Sequence, residues 1–175
     1  GFTIGEIGII TAIYPAVWGI GQLFTGRMAD KFCKKDMLYI GMFLQAIALI
    51  VLVWANTMLH FIILSSVLGW GTAMVYPTFL ATVAENTNPQ DRAKSIGIFR
   101  LWRDLGYAIG AILTGIIADL ININASIVFI GLLTLASAFI IRYRMKCSID
   151  DSLKIWNWIT NKHKQNKEIE NIRVL

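Results

Sequence analysis

Five apolar runs dominate the chain, about Ile7 to Gly26, Met37 to Ala55, His60 to Ala84, Ile96 to Asp119 and Ala125 to Ile141, separated by short polar stretches. A helix needs roughly 20 mostly apolar residues to cross the hydrocarbon core of a bilayer. Composition agrees with that reading: 56% of residues are hydrophobic and 15% charged, against roughly 45–50% and about 25% in soluble domains. The expected fold class is an all-α integral membrane protein with five transmembrane helices. A soluble helical protein of this length would have shorter, amphipathic helices instead.

Charge orients the runs. Lys and Arg near span ends are retained on the cytoplasmic side of a membrane, whereas acidic residues count for little. Of the sixteen Lys and Arg residues, Arg27, Lys31, Lys34 and Lys35 fall in the first polar stretch. Arg92, Lys94, Arg100 and Arg103 fall in or just after the third, and the rest lie from Arg142 onward. The remaining turns, Asn56 to Leu59 and Leu120 to Asn124, carry no cation. This predicts a multi-pass protein of the cell membrane with the start of the chain outside and its tail, residues 147–175, in the cytoplasm. The net charge of +5 then reflects topology and not nucleic-acid binding. Within the tail, Asp150, Asp151 and Ser152 make a plausible helix start. Leu153, Trp156 and Ile159 share a face, which predicts a short interfacial helix.

Cys33 and Cys147 both fall on the cytoplasmic side by this assignment, where thiols stay reduced, so no disulfide is expected. No Cys/His spacing resembles a metal site, and neither a metal nor another cofactor is expected. The first run holds Pro15 and Gln22 and lacks a basic leader, which argues against a signal peptide. A start at Gly1 and an odd number of spans suggest a piece of something longer.

Polarity is unequal among the runs. The second and fifth hold no charge and, apart from Gln45 and a few hydroxyls, nothing strongly polar, so they are expected to face lipid. The first, third and fourth carry Tyr14, Trp18, Gln22, Tyr76, Thr78, Arg100, Arg103, Asp104 and Tyr107, with Pro15 and Pro77. Polar groups and prolines at membrane depth are tolerated where they face protein or a water-filled cavity. These three are expected to line an interior. Gly106, Gly110 and Gly115 on the fourth run, Gly19 or Gly21 with Gly26 on the first, and Gly69 with Gly71 on the third are read as sites of close helix packing.

The stretch Gly26 to Leu38, GRMADKFCKKDML, resembles the cytoplasmic signature of the major facilitator superfamily, G-x-L-a-D-R-x-G-R-K-x-x-L. Gly26, Met28, Ala29, Asp30, Lys31, Lys34, Lys35 and Leu38 stand at matching positions, and Cys33 stands where the family has Gly. The runs YPAVWGIGQLFTG and RLWRDLGYAIGAILTGIIAD are similar to the second half of prokaryotic members. The resemblance implies that the spans are helices eight to twelve of a twelve-helix bundle whose amino-terminal half is missing. It also implies that the second and fifth spans are peripheral, and that Asp30 forms a latch closing the cytoplasmic side when the carrier opens outward.

Gly26, Asp30, Lys31, Lys34, Lys35, Glu85 and Arg92 are therefore candidates for the cytoplasmic gate, with Glu85 pairing either Lys34 or Arg92. Tyr14, Trp18, Gln22, Tyr76, Arg100, Arg103, Asp104 and Tyr107 are candidates for the cavity. Arg100 and Asp104, four apart, share a helix face. Either this group couples to substrate or protons, or it is a structural ion pair near the cytoplasm with Arg103 snorkelling to the interface. Asp119 and His60 are read as solvated span ends.

The function expected is secondary transport of a small solute across the cytoplasmic membrane by alternating access, driven by an ion gradient, with protons as candidate coupling ion, or run as facilitated diffusion. Its partners would be the lipid bilayer, the missing half and the solute, with no nucleic acid. The alternative is a non-transporting membrane sensor or assembly protein on the same fold. No catalytic constellation sits at a common depth, so an enzyme is not expected.

Overall fold

The computed structural model describes residues 2–29 and 31–147. Asp30 and the tail helix expected around Leu153, Trp156 and Ile159 lie outside the described residues. Five helices follow one another: α1 (Ile4–Ala29), α2 (Lys34–Leu52), α3 (Met58–Glu85), α4 (Arg92–Leu120) and α5 (Ile123–Arg144). Each is long and apolar enough to cross a membrane. Most extend beyond the apolar run that predicts them, because polar residues at the ends continue the helical hydrogen bonding and supply caps. At the start of α1, the N–H and hydroxyl of Thr3 both donate to Glu6 Oε2 (2.7 and 2.9 Å), and the N–H of Glu6 donates back to Thr3 Oγ1 (3.3 Å). This reciprocal capping box satisfies two otherwise orphaned donors. Thr57 accepts from the N–H of His60 and Asn122 from that of Ala125 (2.7 Å), capping α3 and α5.

Helix α3 is the spine. It packs closely against α1 and α2, α5 packs on the other side of α2, and α4 lies mainly along α5 with a smaller contact to α3. The close seams are made by glycine. A Cβ on Gly41 would meet the carbonyl oxygen of Gly71 at 2.9 Å, and one on Gly71 would meet that of Gly41 at 2.7 Å, so α2 and α3 cross backbone to backbone. Gly69 approaches the Tyr14 carbonyl in the same way, Gly21 approaches Ala73, and Gly131 approaches Ile50. Lipid tails are as apolar as leucine, so helix association rests on such contact packing.

The expected close packing is met at Gly21, Gly69 and Gly71; among the described residues a Cβ at Gly19, Gly26, Gly106, Gly110 or Gly115 would meet nothing within 4 Å, and α4 has no buried residue. Small residues permit close approach only where a second helix crosses at that level, and spacing alone does not say where the crossing falls.

Pro77 lies inside α3. It has no N–H, so the carbonyl four residues earlier, on Ala73, loses its helical donor. Thr25 of α1 replaces it: the Thr25 hydroxyl, fully buried, donates to the Ala73 oxygen at 2.7 Å.

Several contacts place the charged ends together. Lys34 at the start of α2 bonds Glu85 at the end of α3 (2.9 Å). Arg142 near the end of α5 approaches Asp36 of α2 (3.4 Å) and lies over the Tyr39 ring. Cys33, buried between α1 and α2, is joined by a disulfide to Cys147, beyond α5, with the Cα atoms 5.8 Å apart. This overturns the expectation of two free thiols. That expectation rests on compartment, whereas the fold brings the α1–α2 turn and the segment after α5 to one end, within bridging distance.

Candidate functional site

An open-faced cavity of about 960 Å³ is lined by Tyr14, Trp18 and Gln22 of α1, Gln45 of α2, Thr72, Val75, Tyr76 and Phe79 of α3, and Phe99, Trp102, Arg103 and Tyr107 of α4. Most of these residues lie within about one turn of the midpoints of their helices, so the cavity sits near mid-depth of the layer the helices would cross.

Its walls are ordered by aromatic and hydroxyl contacts. Tyr14 stacks on Trp18 one turn later (ring centroids 6.2 Å), and Trp18 meets Tyr76 edge to face (6.2 Å). Offset and edge-on arrangements are the favourable ones for ring quadrupoles. The Tyr14 hydroxyl lies 3.4 Å from Thr72 Oγ1, and the Thr72 hydroxyl donates to the Leu68 carbonyl (2.8 Å). Phe79 and Phe99 pack at 5.8 Å and close the wall between α3 and α4. The indole N–H of Trp18 is buried without an acceptor among the described residues.

Arg103 is the one cation among the lining residues. Its Nε and Nη2 each lie 2.9 Å from Asp104 Oδ1, its Nη1 donates to the Tyr76 hydroxyl at 3.1 Å, and its guanidinium carbon sits 5.4 Å from the centroid of the Tyr76 ring. It therefore does not snorkel: it lies roughly 16 Å along the axis from the start of α4 and is drawn toward α3. The expected pairing also changes. Asp104 is held by its neighbour Arg103 and not by Arg100 four residues before. Residues four apart have close Cβ atoms, but the long arginine stem can fold back on an adjacent carboxylate once Tyr76 supplies a second anchor. Arg100 is exposed and outside the cavity lining, and Asp104 is exposed behind Arg103.

Of the residues proposed from sequence for the cavity, Tyr14, Trp18, Gln22, Tyr76, Arg103 and Tyr107 lie on its wall, while Arg100 and Asp104 do not. Gln45 belongs to a helix expected to face lipid, yet it lines the cavity, on a helix packed between α3 and α5. Phe79, Phe99 and Trp102 carry no polar signal, and nothing in an apolar run distinguishes them from lipid-facing aromatics.

At the charged end, Lys34 is almost wholly buried and its ammonium meets Glu85, whose side chain is 57% exposed. Glu85 thus selects Lys34 over Arg92. Lys31 and Arg92 are exposed, Lys35 is half-buried, and Gly26 lies in the last turn of α1.

Comparison with known proteins places this arrangement. An uncharacterized MFS-type transporter of Methanocaldococcus jannaschii is 28% identical over 178 residues, covering 100% of this chain and 43% of the relative. The inner membrane transport protein YnfM of Escherichia coli is 25% identical over 79% of the chain and 33% of its own length. A multidrug resistance protein, MdtH, of Aeromonas hydrophila is 28% identical over 65% of the chain and 28% of its own length. The chain thus spans less than half the length of these relatives. Residues 1–155 match the Major Facilitator Superfamily. The chain, a multi-pass membrane bundle with a mid-depth cavity, belongs to the Major Facilitator Superfamily.

Proposed function

We propose that this chain forms most of the carboxyl-terminal half, helices eight to twelve, of a secondary transporter that moves a small solute by alternating access. The observation that carries the reading is the cavity itself. Four helices converge polar groups and aromatic rings at mid-depth, on a side where α4 keeps no residue buried. Substrate sites of such carriers form near the bilayer midplane, between halves that rock about them. The second half of the wall would come from the rest of a longer protein, and an ion gradient would drive the cycle. The cluster of cations at one end orients the bundle with that end in the cytoplasm. There Lys34 and Glu85, with Lys31, Lys35, Arg92 and Asp30, would form the gate that closes when the cavity opens outward.

The test is cysteine accessibility in the full-length carrier, in vesicles, with the native cysteines replaced by serine. Val75→Cys and Phe79→Cys lie on the cavity wall and should react with an impermeant maleimide from one side at a time. Imposing an ion gradient or adding solute should exchange the reactive side. Reactivity that is unchanged under every gradient, together with no flux, would remove the transporter reading.

A further inference from the structure

We infer that the solute bound at this site is an organic anion, with a compact anionic head held by Arg103 and Tyr76 and an apolar body laid against the aromatic wall. The inference rests on the transporter reading above and adds the chemistry of what is carried.

Gln22 and Gln45 each offer the cavity an acceptor oxygen as well as N–H donors, and the charge-assisted capacity left beside them is donor. A guanidinium has five N–H groups. In Arg103 the edge carrying Nε and Nη2 is taken by Asp104, and Nη1 spends one N–H on the Tyr76 oxygen. The second N–H of Nη1 is left for another acceptor. Tyr76 accepts through its oxygen, so its own hydroxyl hydrogen remains to be given. The Trp18 N–H lacks an acceptor among the described residues but is buried, so it is not counted among the donors offered to a solute. Tyr14 and Thr72, by contrast, close a chain that ends on the Leu68 carbonyl.

No carboxylate is among the lining residues. Asp104 is outside the lining and pairs with Arg103, so it holds the guanidinium in place and offsets part of its charge. A cation entering would find no carboxylate on the wall, and a neutral solute would offer the remaining Arg103 N–H only an uncharged acceptor. A carboxylate or sulfonate would take one charge-assisted hydrogen bond from Nη1 of Arg103 and one hydrogen bond from the Tyr76 hydroxyl. Val75, Phe79, Phe99 and Trp102 then supply an apolar wall for the rest of the molecule.

The experiment uses the full-length carrier containing this chain, purified in detergent and titrated calorimetrically with phenylbutyrate, phenylbutyramide and phenylbutylamine, which share one body and differ in the head. Phenylbutyrate should bind saturably and roughly tenfold or more tightly than the amide, the difference expected of charge-assisted hydrogen bonds, with the amine weakest. Arg103→Gln should bring phenylbutyrate down to the affinity of the amide. Arg103→Lys, which keeps the charge and loses the fork, should recover part of it, and Tyr76→Phe should lose less than Arg103→Gln. If Arg103→Gln does not fold, the lysine and phenylalanine variants carry the comparison. Equal or tighter binding of the amide or amine overturns the inference, as does unchanged phenylbutyrate affinity in folded Arg103→Gln. Absence of binding by all three probes, with gradient-dependent reactivity at Val75→Cys intact, removes the anion assignment and leaves the transporter reading standing. Loss of both removes the two together.

Discussion

The Thr25 hydroxyl of α1 donates to the Ala73 carbonyl of α3 at 2.7 Å, filling the hydrogen-bond position that Pro77 leaves vacant four residues later. One side chain thus joins two helices and satisfies a backbone group that lipid cannot.

Thr25→Val keeps the shape and removes the donor. It should cost about 1–2 kcal/mol, the range for losing a hydrogen bond to a buried group. In a Pro77→Ala background the residue at 77 regains its N–H, and the same substitution should cost much less. Reversible denaturation in mixed detergent micelles checks the cycle, and equal costs in both backgrounds would show that Pro77 is not the reason for the contact.

Glycine positions should divide sharply. At Gly41 and Gly71 an added methyl group would press on a backbone oxygen at 2.9 and 2.7 Å. Gly41→Ala or Gly71→Ala should therefore destabilise by about 1–3 kcal/mol. Gly106→Ala and Gly110→Ala meet no neighbour among the described residues, and detergent stability of the isolated segment should barely change. A comparable loss at Gly106 would mean that α4 packs more closely than its open glycines indicate.

The two cysteines should close on each other and on nothing else. With Cα atoms 5.8 Å apart, mild oxidation by copper phenanthroline should abolish both sites for a polymer-tagged maleimide without forming dimers on a non-reducing gel. Reduction should restore both sites. Disulfide-linked dimers would contradict the arrangement of the α1–α2 turn and the segment after α5.

Orientation is checked by labelling in intact cells, in a background with Cys33 and Cys147 replaced by serine. Asn122→Cys, in the uncharged turn between α4 and α5, should label from outside. Lys35→Cys should label only after permeabilisation. Labelling of position 35 in sealed cells would invert the topology.

Much of the fold is legible in the chain because membrane insertion reduces sequence to a few strong rules. Each apolar run became a helix, with Arg27, Lys31, Lys34 and Lys35 about the α1–α2 turn, Arg92 at the start of α4 and Arg142 and Arg144 in the last turn of α5. Tyr14, Trp18, Gln22, Tyr76 and Tyr107 stand out because a polar group in a span demands a reason. Contact is what sequence does not show. Gln45 is hidden by its helix, because one amide hardly alters the character of 19 residues. Helical spacing matches Asp104 to Arg100, while its actual partner is decided by Tyr76 on another helix. The glycines of α4 follow the same spacing as those of the true crossings, and only the level at which helices meet separates them. Cys33 and Cys147 are 114 residues apart in sequence, and compartment reasoning says nothing of proximity.

The glycine seams also divide the bundle mechanically. Helices α1, α2, α3 and α5 are locked by crossings that leave no room for a methyl group, while α4 is held along softer contacts with no residue buried. The helix that carries Arg103 is thus the one this chain leaves with an open face. Tyr76 stands in the close-packed block and Arg103 on the open helix, and their hydrogen bond of 3.1 Å is the clasp between the two.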